Sequence, residues 1–307
     1  MSFNSLSFVI FIVAFYALYL LVRRHHEWQN RLLLVGSYVF YAGWDYRFTS
    51  LLLLSTVTDY TIGRSLGASS SAVTRKRLLL GSVVINLTVL GFFKYFNFFA
   101  DSLVTTLGFA GIEPNLFTLN VILPVGISFY TFQTLAYSFD VYRKRIEPER
   151  NFIDYGIYVA FFPQLVAGPI ERAGRLLPQI KMPRSITSDQ INTGIFLIVW
   201  GLFKKVVIAD QLAITADRVF SGEIEGGAPV VIAGALAFAF QIYCDFSGYT
   251  DIARGISKLL GFELTLNFRL PYFAKNPSDF WKRWHISLST WIRDYLYIPL
   301  GGNRSGR

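Results

Sequence analysis

One cysteine and three histidines in 307 residues leave several chemistries without their usual parts. The lone Cys244 cannot close an internal disulfide, and its apolar setting reads as that of a small buried side chain. His25 and His26 are neighbours in a basic loop, so no His/Cys set stands at metal-ligand spacing; the pair reads as a solvated feature of a membrane surface. Charge is scarce too. Asp, Glu, Lys and Arg make up 16% of the chain, against about 25% in soluble domains. There is no Gly-rich phosphate loop ending in Lys-Ser/Thr and no GxSxG elbow, which removes the common nucleotide-binding and serine-hydrolase signatures. No internal repeat divides the chain, so one domain is expected over 1–307.

What fills the sequence is apolar. Hydrophobic residues make up 53% and aromatics 17%, with a mean hydropathy of +0.41. A membrane helix needs about 20 mostly apolar residues. Uncharged runs recur at 6–22, 78–93, 119–139, 155–170 and 228–244, with shorter ones at 32–44, 48–58 and 190–203. The expected class is all-α, a polytopic membrane protein. The net charge of +9 is not spread as a nucleic-acid binder would spread it. The loops 23–31, 64–77, 143–154, 171–189 and 251–283 carry three, four, four, four and six Lys or Arg, whereas 101–118 and 210–227 carry only Arg218 against six acids. By the positive-inside rule the first set is cytoplasmic and the second outside. The run 6–22 has no basic residue before it and Arg23-Arg24 after it, the reverse of a cleaved signal, so it is expected as a retained span with its N-terminus outside.

Asp45 and Arg47 interrupt 32–62, which reads as a pair of short or tilted helices returning to its starting side. Crossings are expected at 78–100, 119–141, 190–208 and 228–250, with Lys204 and Lys205 snorkelling at the far end of the third. In 152–170, Pro163, Gly168 and Pro169 forbid a straight helix. Either a kinked structural helix or a re-entrant element results, and the second should line a cavity, since broken backbone at membrane depth needs protein or water to satisfy it. Gln241, Asp245 and Tyr249 share one face of the 228–250 helix. Asp245 is a pathway residue or the partner of Arg254 or Lys258.

The stretch Asn276–Asn303 gathers three tryptophans, a histidine and several cations. Asn276 fits an N-cap, Pro277 the first helical position, and Asp279 the positive end of the dipole. At about 100° per residue, Phe280, Trp291, Trp284, Tyr295, Leu288, Trp281, Ile292 and His285 fall on one continuous arc. His285 then stands at the margin of an aromatic wall, as a general base for a hydroxyl attacking a carbonyl or as a structural core histidine. A transporter, with Lys94, Asp140 and Asp245 along a conduction path, is a competing reading, but its paired similar halves are absent.

FFPQLVAGPIER (161–172), FQIYCDFSGYTDIARGISKLLGFEL (240–264) and NFRLPYFAKNPSDFWKRWHISLSTWIRDYLYIPLGGNR (267–304) together resemble the membrane-bound O-acyltransferase superfamily. The likeness is closest to its bacterial alginate O-acetylation branch and more distant to teichoic-acid D-alanylation. The resemblance implies a helical ring of tilted, short and re-entrant helices around a tunnel. It implies transfer of an acyl group, acetyl by preference, across the inner membrane to hydroxyls of an exported polysaccharide; D-alanyl transfer and a non-catalytic scaffold are the alternatives. His285 carries over as the first of two family histidines, with Asp245, Asn276, Trp281 and Trp284 shaping the tunnel. A thioester, acetyl-CoA or an acyl-carrier protein, would be co-substrate, with no bound cofactor and no metal. Membrane lipid, periplasmic acetylation proteins and the polysaccharide would be partners. The second family histidine, in a Trp-His-Gly context on a later helix, has no counterpart in these residues, so the chain is expected to be the N-terminal part of the domain.

Overall fold

A computed structural model describes residues 1–109 and 121–305. Among them there is no strand. The first helix, α1 (Leu6–Leu21), is capped by Ser5, whose hydroxyl accepts from the Phe8 amide at 3.2 Å. The expected pair over 32–62 is present but longer, as α2 (His26–Asp45) and α3 (Thr49–Ala68). Asp45 and Arg47 make the turn between them, the Asp45 carboxylate accepting from the Arg47 amide and side chain, each at 3.0 Å. The long loop expected at 64–77 shrinks to the three serines between α3 and α4 (Ala72–Phe109). The expected outer connection 101–118 is helical as far as Phe109, and its remainder lies outside the described residues.

The crossing expected from 119 begins as a helix only at Ile127, in α5 (Ile127–Tyr142). Pro124 lacks the amide a helix would use, and Gly126 sits at φ +79°, where a side chain is strained. A β-carbon there would also stand 2.5 Å from the Leu165 carbonyl oxygen, so only glycine lets α5 start against the next segment.

That segment is the broken one. It consists of α6 (Phe152–Ala160), a single turn α7 (Phe162–Leu165), and irregular chain to α8 (Ala173–Lys181). It is buried almost throughout, and side chains of the segment and of its neighbours bond across the break. Gln164 donates to the Tyr158 carbonyl and to the Gln133 side chain, each at 3.0 Å, the Tyr158 hydroxyl donates to the Gln133 carbonyl at 2.9 Å, and Ser37 accepts from the Phe162 amide at 3.2 Å. This is the protein-satisfied break the prolines and glycine called for. Phe162 projects into the core between Phe11, Phe15 and Phe40 at 5.3–5.5 Å. Beside it, Val166 lines an apolar cavity of about 210 Å³ with Tyr41, Trp44, Val125 and Tyr249.

The next helical run joins α9 (Ser188–Leu202), a π-helical turn over Phe203–Ala209, and α10 (Asp210–Phe220); α11 (Ala228–Leu259) packs against it. Gly201 and Gly248 meet where a β-carbon on Gly201 would stand 2.6 Å from the Gly248 carbonyl oxygen. Lys204 and Lys205 do not snorkel. The π turn directs both toward α11, where Lys204 pairs with Asp251 at 2.7 Å and Lys205 with Asp245 at 2.6 Å. Partners within reach in a medium without water outweigh extension to the interface. The residues expected to form an outer loop at 210–220 are helical instead.

The runs Ala72–Phe109, Ser188–Phe220 and Ala228–Leu259 are each long and apolar enough to cross a membrane. Their outward side chains are apolar: Phe99, Val207 and Ile232, with Ile10 of α1, are 54–66% exposed. Such a surface is stable against lipid and not against water.

Candidate functional site

The stretch expected as one helix through His285 is two. Asn276 caps α12 (Pro277–Trp281) as expected, its side-chain oxygen accepting from the Asp279 amide at 2.8 Å. Asp279 binds Arg283 at 2.9 Å. Four residues then intervene before α13 (Ile286–Ile292) and a π-helical turn over Arg293–Tyr297. The break is at His285 itself, held at φ 42°, ψ 55° in the left-handed region, which a residue with a β-carbon occupies at a cost.

What holds it there lies eighteen residues upstream, at Asn267. The irregular chain after α11 takes the backbone donors a continuous helix would have used internally. Ile286 donates its amide to the Asn267 carbonyl at 2.9 Å, and Ser287 donates its amide and hydroxyl to the Asn267 side-chain oxygen at 3.1 and 2.7 Å. The Arg269 amide donates to the Arg283 carbonyl at 2.9 Å. The Ser287 hydroxyl also accepts from the Ile170 amide at 3.0 Å, tying α13 to the broken segment. Glu171, fully buried, fastens the broken segment to the irregular chain after α11, accepting from the Thr265 amide and, at 3.1 Å, from its hydroxyl.

The single aromatic arc therefore divides. Trp291 and Tyr295 pack on Phe132 and Phe139 of α5, with ring centroids 4.7 and 5.6 Å apart. Trp284 stacks with Phe280 at 5.6 Å and meets Phe268 edge-on at 5.0 Å. Trp281 is 58% exposed and touches Phe280 at 5.4 Å.

His285 lies outside the three spanning helices, in a cage of Phe246 at 4.7 Å and Phe129 and Phe268 at 6.4 Å. Its Nε2 is buried and has no hydrogen-bond partner among the described residues. Burial pulls its pKa down to about 4. The imidazole is therefore neutral at physiological pH, with a free nitrogen that can accept a proton from a hydroxyl or donate to a carbonyl oxygen.

The other expected site residues are only partly gathered. Trp284 shares Phe268 with His285. Asp245 precedes Phe246 on α11, but its carboxylate belongs to Lys205, whose ammonium also lies 5.5 Å from the Tyr249 ring. Of the partners expected for Asp245, Lys258 pairs with Glu263 and Arg254 with Asp251. Asn276 acts on α12 alone. Sequence reasoning missed Asn267, Ser287 and Glu171. Each is a polar residue that the structure buries, and nothing in its local sequence sets it apart from the other polar residues of its motif segment.

Residues 39–307 match the model of the membrane-bound O-acyltransferase family. Among similar proteins, the one named "Probable alginate O-acetylase AlgI" of Pseudomonas syringae pv. tomato is 44% identical over the whole of this chain and 59% of its own length. The peptidoglycan O-acetyltransferase of Helicobacter pylori is 37% identical over 89% of this chain and 56% of its own. The teichoic acid D-alanyltransferase of Bacillus subtilis is 28% identical over 58% and 46%. The chain thus spans less than two thirds of the length of each.

Proposed function

The chain belongs to the membrane-bound O-acyltransferase family, and from that membership we propose that it forms the part of an acyltransferase that brings His285 to a thioester donor. The acyl group, acetyl by preference, passes to hydroxyls of an exported polysaccharide such as alginate. The observation that carries this reading is convergence. Ile170, Phe246, and Asn267 with Ser287 come from the three motif segments and set the backbone or the ring wall of one neutral histidine, whose buried nitrogen has no partner among the described residues.

In the reaction the hydroxyl oxygen bonds to the carbonyl carbon, the carbon–sulfur bond breaks, and the hydroxyl proton ends on the released thiol. His285 would hold or relay that proton beside the thioester. Asp245, Asn276, Trp281 and Trp284 would shape the approach, Asp245 by fixing α11 through Lys205. The donor, acetyl-CoA or an acyl-carrier protein, would arrive from the cytoplasm, where the basic loops lie. The protein would then be multi-pass in the inner membrane with its N-terminus outside, alongside acetylation proteins of the periplasm.

The test is His285→Asn in the gene at its own locus. Membrane levels should stay unchanged while the O-acetyl content of the exported polysaccharide falls to background. Full acetylation with the variant would remove His285 from the reaction.

A further inference from the structure

A second polar centre sits at the far end of α13, where Tyr295 meets the end of α5. Tyr295 donates its hydroxyl to Asp140 at 2.7 Å, and two guanidiniums lie against its ring, Arg172 at 4.3 Å and Arg143 at 5.6 Å from the centroid. Neither is well neutralised. Arg143 donates to the Asp294 backbone carbonyl at 3.1 Å and makes no ion pair among the described residues. Arg172 reaches the Asp294 carboxylate only at 3.3 Å, and that carboxylate is held closer by Arg293, at 2.7 Å. The Nη1 of Arg172 is buried and has no partner among the described residues. Arg145 adds a fourth guanidinium, 3.5 Å from Asp140. Four guanidiniums thus face two carboxylates, leaving two positive charges and an unused buried donor.

We propose that Arg143 and Arg172 form a binding site for a phosphate ester. Planar forks with spare N–H groups suit a tetrahedral oxyanion, and the uncompensated charge favours one. The position suggests which. Ten residues separate His285 from Tyr295, seven of them in α13 and the last three in the π turn, a span of at most about 15 Å at 1.5 Å per residue. Thioester donors of the pantetheine class carry their sulfur and phosphate at opposite ends of a flexible arm of similar reach, so a phosphate held here leaves the thioester able to extend toward His285. This assignment of the phosphate to the donor rests on the acyltransferase reading above; the anion site itself does not. The same chemistry could be supplied by an anionic phospholipid headgroup.

The experiment compares 4′-phosphopantetheine with phosphate-free pantetheine on the purified protein in phosphatidylcholine nanodiscs. The parent should bind the phosphorylated form at least tenfold more tightly. Arg143→Gln with Arg172→Gln should abolish the preference, and Arg143→Lys with Arg172→Lys should retain part of it, at an unchanged unfolding temperature. A parallel set of nanodiscs contains phosphatidylglycerol. Retention of phosphatidylglycerol by the parent but not by the Gln pair, with no preference for phosphopantetheine, assigns the phosphate to lipid and overturns the donor assignment. A parent with no preference for either phosphate overturns the site. Polysaccharide acetylation in cells separates the two readings. If it persists unchanged in the Gln pair, the donor assignment falls while the acyltransferase reading stands. If phosphate binding is present but His285→Asn leaves acetylation intact, the role given to His285 falls and the donor assignment with it, while the anion site stands.

Discussion

Asn267 and Ser287 are joined twice. The Asn267 side-chain oxygen accepts both the amide and the hydroxyl of Ser287, at 3.1 and 2.7 Å. Because Ser287 follows His285 by two residues, this pair of hydrogen bonds sets the backbone on which the imidazole stands. Asn267→Ala would leave two buried donors without an acceptor, a loss of about 1–3 kcal/mol for each group stranded. The unfolding temperature in detergent should fall by several degrees, and polysaccharide acetylation should fall with it. A variant as stable and as active as the parent would show that the clamp does not govern His285.

The cage around His285 makes a pH prediction. Its folded pKa is near 4, because burial penalises the imidazolium, against 6.5 for the free group. The neutral form is the one folding favours, so this contribution is complete above pH 6.5 and is lost as pH falls from 6.5 toward 4. At 1.36 kcal/mol per unit it amounts to about 3 kcal/mol at most. His285→Asn removes the titration and suits the left-handed backbone. Its unfolding temperature should therefore decline less than the parent's between pH 6.5 and 4, and parallel curves would contradict the burial of the ring.

Lys205 holds two carboxylates, Asp245 at 2.6 Å and Asp210 at 2.8 Å. Lys205→Met strands both, whereas Asp245→Asn leaves Lys205 its second partner. The first should be the more damaging, because two carboxylates on apolar helices lose their cation at once. Adding Asp245→Asn to Lys205→Met should recover part of the loss, since residues in one network do not add. Thermal unfolding of the three variants in one detergent decides the order.

Two glycine-to-alanine changes should move stability in opposite directions. Gly201 abuts the Gly248 carbonyl, so a β-carbon there forces α9 and α11 apart; around Gly81 in α4 the space is open. Gly201→Ala should destabilise, and Gly81→Ala should stabilise by about 0.5–1 kcal/mol, the usual gain in a helix interior. Unfolding temperatures that shift the same way would contradict the close packing of α9 on α11.

Much of this architecture was legible in the residues. Low charge and long apolar runs read as membrane helices. Pro163, Gly168 and Pro169 marked the broken segment, and Asn276 with Pro277 marked the start of α12. The helix through His285 was misread because periodicity records which side chains are apolar, not which backbone donors are taken elsewhere. The aromatic spacing remains, but Asn267 captures the amides of Ile286 and Ser287. Lys204 and Lys205 were misread for a related reason. Snorkelling assumes an α-helix that sends consecutive lysines apart, and nothing local to FKKVVIA announces a π turn.

That turn acts as a vernier between two helices. Along Ser188–Phe220 the small residues buried in the structure are Gly194, Gly201, Ala209 and Ala216, at intervals of seven, eight and seven. Along α11, Gly234, Gln241, Gly248 and Gly255 keep an unbroken interval of seven. The π turn absorbs the one supernumerary residue between the close contacts of Gly194 with Gly255 and Gly201 with Gly248 and the far end, where Val219 packs on Gly234. A single deletion within Phe203–Ala209 would equalise the two series and let a straight α-helix close the same seam. Only one of the two lysines would then remain facing α11, and the ionic lock and the glycine seam, now satisfied together, would become alternatives.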